Sequence, residues 1–474
     1  MSLATAGSKR SRLVVALSFS LTGLYDAKTD RAPVLALSGQ VPSKTRGRGA
    51  FQDADLGAVF KDVARYTQVV SAGSDHAELM SLACKTALVE SDVAHLVLPD
   101  EVQTLPAESP EAGSPAGRIG SRRVEPDPNV VEVAGKLIAS SIRPMIIVGN
   151  GARHSMDDIV ALADRLGAPV GTTFKAKGLI PDQHPRGCGV LGRSGTPVAS
   201  WLMNESDLLI VFGASSSNHT GIATYKPTIQ VDFDPMALGR FHAVEVPMLS
   251  DVGAAATALT RGLSANPARV DRRTEIADRW EIWRAEKKQR FGDDEGRGIS
   301  SARTFAILSD CLPANAVICV DVGNNTYSFG RYFEVKEQSV LMSGYLGSIG
   351  FSYPAAMGAW AAVGDHRPIV SISGDGGFGQ YAMELTTAVK YGMKITHILL
   401  NNSELGKISK EQRSTQYEVW QTSLHNPDFA AFAELCGARG IRVTRPVDLE
   451  QAIADALAHP GPALVEVICD PLLV

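Results

Sequence analysis

Short apolar runs bounded by Gly, Pro or Asn alternate along this chain with longer stretches whose apolar positions recur at helical spacing. In a first block, APVLALSG (32–39) and AHLVLP (94–99) read as buried strands, with a helix predicted between them around Ala77–Val89. Leu105–Val124, rich in Pro, Gly and Ser, reads as a linker. A second block carries the strands PMIIVG (144–149), DLLIVFG (207–213) and TIQVDF (228–233). The charged stretch Arg269–Arg297 predicts a solvated connector helix. A third block carries AVICVDVG (316–323), RPIVSISG (367–374), KITHILLNN (394–402) and PALVEVIC (462–469). Apolar strands separated by helices predict parallel sheets covered on both faces. The expected class is therefore α/β, with each block a doubly wound parallel-sheet domain. The expected boundaries are 1–104, a linker over 105–127, 128–265, a connector over 266–300, and 301–474.

Composition narrows the partners. A chain of 474 residues is too long for one core, and 45% hydrophobic with 20% charged residues is ordinary for globular protein. A formal net charge of −5 gives no reason to expect nucleic acid. The six cysteines form no C-x-x-C pair, as expected for thiols in a reducing, cytoplasmic setting. Lys9, Arg10 and Arg12 before the apolar run Leu13–Leu21 have the outline of a signal peptide, but no small-x-small cleavage site follows. No stretch is long enough to span a membrane.

The stretch SISGDGGFGQ (371–380) carries the candidate chemistry. After Gly374 the positions Phe378, Tyr381, Leu385, Ala388 and Val389 follow helical spacing, and Gly392 is a natural stop. Asp375 therefore sits where a strand turns into a helix, among glycines that let backbone approach a ligand. The next strand ends in Asn401-Asn402, and parallel strands end at one edge. A carboxylate, an amide oxygen and a nearby backbone carbonyl are hard ligands suited to Mg²⁺ with a diphosphate and water.

GDG at 374–376 followed by NN at 401–402 resembles the signature of the thiamine-diphosphate enzymes of the pyruvate oxidase and acetolactate synthase group. The resemblance covers about residues 23–474, in the order pyrimidine-binding, middle and diphosphate-binding domains, with the first domain incomplete. It implies thiamine diphosphate and Mg²⁺, with Asp375, the Asn402 side chain and the Glu404 carbonyl as metal ligands. Gly374, Gly376, Gly377, Leu405 and Gly406 would surround the diphosphate. DVGNN (321–325) resembles the first cofactor loop, through Gly323 and Asn324. LGSIGFSYPAAMGA (346–359) resembles the pyrimidine-holding loop and helix: Gly347 and Ser348 would line it, and Ile349 would force the bent cofactor shape. Phe51 and Gln52 would face a neighbouring subunit's active site, so a homodimer or homotetramer is implied. Glu411 matches a family active-site carboxylate.

The middle block resembles the flavin-contacting loops of pyruvate oxidases at VGNGARH (148–154), TTFKAKG (172–178), LGRSG (191–195) and VDFDP (231–235). The resemblance implies FAD, with Gly151, Ala152, Arg153, Lys175, Lys177, Gly192, Asp232 and Asp234 around it; the alternative is a purely structural middle domain, since many relatives keep this fold without flavin. Three departures bear on activity. The first twenty residues hold no Glu or Asp where the family places an activating glutamate, as in an N-terminally truncated chain. Lys407 stands where pyruvate oxidases carry an aromatic residue. The tail with which quinone-linked relatives meet membranes is missing. The expected activity is decarboxylation of a pyruvate-like 2-oxo acid with FAD-linked oxidation. The alternatives are acetolactate-synthase-like carboligation and a weak or inactive cofactor-binding remnant.

Overall fold

A computed structural model describes residues 17–106, 113–215, 217–263, 266, 268–292 and 298–470. It divides into two compact units, Met1–Arg122 with Ser343–Ser348, and Arg123–Met342 with Ile349–Val474. The signal-like run lies mostly outside the described residues, as does part of the 105–127 linker.

The first unit holds strands β1 (Val34–Gln40), β2 (Tyr66–Val69) and β3 (Val93–Pro99) in the order β1-β3-β2, all parallel. The expected helix runs over His76–Glu90, and Asp75 caps it by accepting from the Glu78 N–H.

The second unit holds two six-stranded sheets. One comprises β4 (Pro144–Val148), β5 (Val170–Thr172), β6 (Gly187–Val190), β7 (Leu208–Phe212), β8 (Thr228–Asp232) and β9 (Val246–Leu249), in the order β6-β5-β4-β7-β8-β9. The other comprises β10 (Val317–Val320), β11 (Ser339–Met342), β12 (Ile369–Gly374), β13 (Ile395–Asn401), β14 (Arg439–Val443) and β15 (Ala463–Ile468), in the order β11-β10-β12-β13-β15-β14. Every pairing is parallel. The α/β class with three parallel sheets is as expected from the alternation of apolar runs. Periodicity missed β2, β5, β6, β9, β11 and β14, which are short or carry Gly and charged residues. Such strands form because a neighbouring strand offers its edge, a signal absent from their own pattern.

The connector departs from expectation. The helix Arg273–Gln289 buries a stripe of Ile276, Trp280, Trp283 and Lys287. Ile276, Trp280 and Trp283 join one continuous core containing Met145 and Val211 of the middle sheet, Val465 of the last sheet, and Phe305 and Phe329 of the helices Ser301–Cys311 and Asn324–Tyr332. Charges dominate the composition of this helix, whereas Trp280 and Trp283 share the one face it buries. Glu334 anchors it, accepting from Arg284 at 2.8 Å and from Lys287 at 2.6 Å. The helix expected to run unbroken from Asp375 to Gly392 is instead two, Asp375–Tyr381 and Glu384–Tyr391. Gly392 ends the second in the left-handed region, as its position suggested. No helix among the described residues is long and apolar enough to cross a membrane.

Burial raises the Glu334 carboxyl, but the bonds to Arg284 and Lys287 outweigh it and hold the group below its ordinary value. A lowered folded-state value stabilises above the unfolded value of about 4.3 and is lost as pH falls through the folded one. Glu334→Gln should therefore cost about 3 kcal/mol at pH 7, because two cations lose their buried partner. It should also show a smaller further loss on acidification than wild type. Urea midpoints across the acid range check both outcomes.

Candidate active site

The register of the last sheet sets the site. Gly374 of β12 lies opposite Leu400 of β13, so Asp375 comes level with Asn401 and the chain turns into Asn402 at the same edge. A cleft of about 300 Å³ opens there, lined by Gly323, Asn324, Ile349, Gly374, Asp375, Gly376, Gly377, Asn402, Glu404, Leu405, Gly406 and Lys407, with Leu400, Ile408 and Cys469 adding apolar wall. The structure thus gathers the residues expected around the diphosphate, together with Ile349. Gly347 and Ser348 belong to the other unit, where Gly347 has φ 69° and the Ser348 N–H donates to Ser343 Oγ at 2.9 Å.

Asp375 is 3% exposed. Its Oδ1 accepts from the Gly376 N–H at 3.0 Å and its Oδ2 from Asn426 Nδ2 at 2.7 Å. Burial pushes its carboxyl up, against those two bonds. The two asparagines have separate roles, because successive strand residues face opposite ways. Asn401 turns inward: its Nδ2 donates to the fully buried Glu466 at 2.7 Å, and its Oδ1 accepts from Asn426 at 2.9 Å. Asn402 lines the cleft, its Oδ1 accepting from the Glu404 N–H at 3.2 Å. Ser403 between them has φ 54°, a strained value for a residue other than glycine. Segment 422–424 braces this turn, with Leu405 N–H donating to the Thr422 carbonyl at 2.7 Å and Leu424 N–H to the Ser403 carbonyl at 2.8 Å.

Among the described residues no three His, Cys, Asp or Glu side chains gather as a metal cluster. A cation here would rely on one carboxylate plus neutral oxygens, a donor set that fits Mg²⁺ when phosphate and water supply the rest. The Glu404 carbonyl accepts from the Gly406 N–H at 2.8 Å and keeps a second lone pair. The Glu404 side chain points elsewhere, pairing with Arg413 at 3.0 Å. Asn324 Nδ2 is a buried donor without a partner on the cleft wall, the kind of group a ligand satisfies.

Lys407 is the cation lining the cleft. Its ammonium pairs with Glu411 and sits 5.2 Å from the Tyr327 ring. The Lys407 bond holds the Glu411 carboxyl below its usual value, on a side chain that is mostly exposed.

The flavin candidates lie elsewhere in the second unit. Gly151 and Ala152 follow β4, where the Gly151 N–H donates to the Gly213 carbonyl at 3.0 Å. Arg153 is exposed and donates to the Asn150 carbonyl at 3.1 Å. Gly192 has φ 94°, and a Cβ there would stand 2.2 Å from the His219 carbonyl oxygen. Asp232 Oδ1 and Asp234 Oδ1 each accept a backbone N–H of their own turn at 2.9 Å. Lys175 donates to the Met342 carbonyl. Lys177 is buried, 3.2 Å from Asp182 and above the Phe329 ring, so its ammonium is already engaged. In the first unit Phe51 is 87% exposed, and Gln52 has φ 62°.

Sequence reasoning missed Asn426, Glu466 and the role of Asp321. Asn426 has no patterned signal, because it reaches Asp375 from a loop 51 positions away. Asp321 ends an apolar strand much as Gly374-Asp375 does, and that likeness was available as a clue.

Adjacent parallel strand tips thus bring a carboxylate and an amide to one glycine-lined cleft, a donor set suited to a divalent cation carrying a diphosphate. Residues 321–467 match the family model described as thiamine pyrophosphate enzyme, C-terminal TPP binding domain, and residues 131–259 match the central domain of the same enzymes. The putative thiamine pyrophosphate-containing protein YdaP of Bacillus subtilis is 34% identical over 453 residues, covering 94% of this chain and 78% of that protein. The probable acetolactate synthase large subunit of Methanocaldococcus jannaschii is 30% identical, covering 95% of this chain and 79% of that one. The acetolactate synthase large subunit of Corynebacterium glutamicum is 31% identical, covering 96% and 74%. This chain belongs to the thiamine pyrophosphate enzyme family.

A Cβ on Gly377 would stand 2.9 Å from Asp321 Oδ1. Gly377→Ala should therefore displace either the Asp321 carboxylate or the start of the Asp375 helix. The expected result is a loss of about 1–3 kcal/mol in stability, read by denaturant titration. Gly379→Ala, where nothing lies within 4 Å, should be neutral by comparison.

Proposed function

We propose that this protein is a thiamine-diphosphate- and Mg²⁺-dependent 2-oxo-acid enzyme of the acetolactate synthase type, joining two 2-oxo-acid units with loss of CO₂. The observation that carries the cofactor is the convergence of Asp375 and Asn402, from adjacent strand tips, on one glycine-lined cleft. When bound, thiamine diphosphate supplies the electron sink for decarboxylation and transfer of the remaining fragment.

The chain's own residues then have distinct tasks. Asp375, the Asn402 side chain and the Glu404 carbonyl hold the cation. Gly374, Gly376, Gly377, Leu405 and Gly406 admit the diphosphate, and Gly323 with Asn324 close the opposite wall. Ile349 gives the cofactor an apolar shoulder. Val322, Leu400, Ile408 and Cys469 keep water from the reacting centre. Lys407 and Glu411 form an ion pair beside it, placed to meet a substrate carboxylate and to move a proton.

Two observations favour carboligation over the oxidation that the flavin-like loops first suggested. Relatives covering more than nine-tenths of this chain carry the name acetolactate synthase. Lys407 also replaces an aromatic residue of pyruvate oxidases, removing a ring from the direct path of electrons. Oxidation stands as the second reading on the strength of the middle-domain loops, with FAD held by Gly151, Ala152, Arg153, Lys175, Gly192, Asp232 and Asp234 and not by Lys177, whose ammonium Asp182 already engages. Phe51 and Gln52 would act at a neighbouring subunit of a homodimer or homotetramer.

With pyruvate, thiamine diphosphate and Mg²⁺ the expected product is acetolactate, detected as acetoin after acid treatment. Acetate formed with reduction of an added electron acceptor, on a protein that purifies with flavin absorbance, would replace this reading with the second. Asp375→Ala should weaken calorimetric binding of thiamine diphosphate with Mg²⁺ by at least about 100-fold. Unchanged affinity would remove Asp375 from the metal site.

A further inference from the structure

Asp321 is 1% exposed and forms no ion pair with a cation among the described residues. An unpaired buried carboxylate persists only where donors saturate it. Here two donors reach each oxygen. Oδ1 accepts from the Val322 N–H at 2.7 Å and the Gly350 N–H at 2.8 Å. Oδ2 accepts from the Ser352 N–H at 3.1 Å and the Ser352 hydroxyl at 3.0 Å. Since a carboxylate offers about four lone-pair sites, none is left for a metal or a substrate.

The same residue touches three loops that line the cleft. Its backbone carbonyl accepts from Asn325 Nδ2 at 3.0 Å and from the Thr326 hydroxyl, which ties down the turn holding Gly323 and Asn324. Its carboxylate grips Gly350 and Ser352, the residues that follow Ile349 and begin the helix Ser352–Val363. Gly377 packs so close to that carboxylate that a Cβ would not fit.

We propose that Asp321 is a positioning residue: its buried carboxylate fixes the 349–352 loop against the diphosphate loop, so that Ile349 is set in the cleft before cofactor arrives. The proposal rests on the thiamine-diphosphate reading of this cleft, but the loop it orders belongs to the cofactor-free protein. Asparagine at 321 would keep the shape but present an amide NH₂ to donors that need an acceptor. The loop would then lose its clamp without losing packing volume.

The test compares wild type with Asp321→Asn and the milder Ser352→Ala, which removes a single donor. Hydrogen exchange of the 349–352 amides is read on cofactor-free protein, and thiamine diphosphate affinity with Mg²⁺ by calorimetry. Asp321→Asn is expected to unfold cooperatively, to lose protection at 349–352, and to bind cofactor ~10–100-fold more weakly, as removal of supporting hydrogen bonds around a site typically does. At saturating cofactor its kcat should return to within about threefold of wild type, a split that general destabilisation would not produce. Ser352→Ala should shift both readouts in the same direction by a smaller factor, and it carries the test should Asp321→Asn not fold. Wild-type exchange together with wild-type affinity in the folded variants overturns the proposal. A wild-type protein that ignores thiamine diphosphate overturns the functional reading instead, while the exchange measurement still decides whether Asp321 orders the loop.

Discussion

The parallel register of β12 against β13 is the constraint on which the site depends. Because Gly374 stands opposite Leu400, the residues that follow, Asp375 and Asn402, leave the sheet at one edge. A shift of one residue would turn Asn402 into the interior and present Asn401 to the cleft. The interior bonds oppose such a slip. Asn401 is held by buried Glu466 and by Asn426, which also holds Asp375. Glu466 in turn accepts from the Ala430 N–H and from Arg442. The geometry of the cleft edge is thus carried by a buried polar network beneath it, which reaches the cleft through Asp375.

That network explains which parts of the protein could be read from the sequence. Strands β4, β7, β8, β12, β13 and β15 are rich in apolar residues and buried along nearly their whole length because both faces are covered, so their pattern announces them. Asp375 and Asn402 were legible as neighbours because each comes just after an apolar strand, and parallel strands end at one edge. Asn426 was not legible, because nothing within its own segment records where that loop returns. The connector shows the opposite failure. Its local signal, a charged composition, was overridden by the two tryptophans that bridge the cores. The middle-block loops illustrate a third limit. A likeness of loop sequence does not reveal that Lys177 is already engaged by Asp182.

The cleft also separates acidic groups by task. Asp321 takes two donors on each oxygen, whereas Asp375 takes the Gly376 N–H on one oxygen and Asn426 on the other, with the Ser403 N–H also reaching its carboxylate. Two buried carboxylates at neighbouring strand tips thus differ in the N–H and O–H groups that reach them. Glu411 is a third kind, exposed and paired with Lys407, where solvent keeps the interaction weak and exchangeable.

Every strand pairing in the three sheets is parallel, and among the described residues no two consecutive strands are joined by a tight hairpin. Each pairing must therefore wait for a distant segment to arrive, which slows assembly and leaves sheet edges unpaired while the chain is still immature. A cell making this protein quickly faces aggregation during synthesis, so lower growth temperature and abundant chaperones should matter more to its yield than the stability of the finished fold.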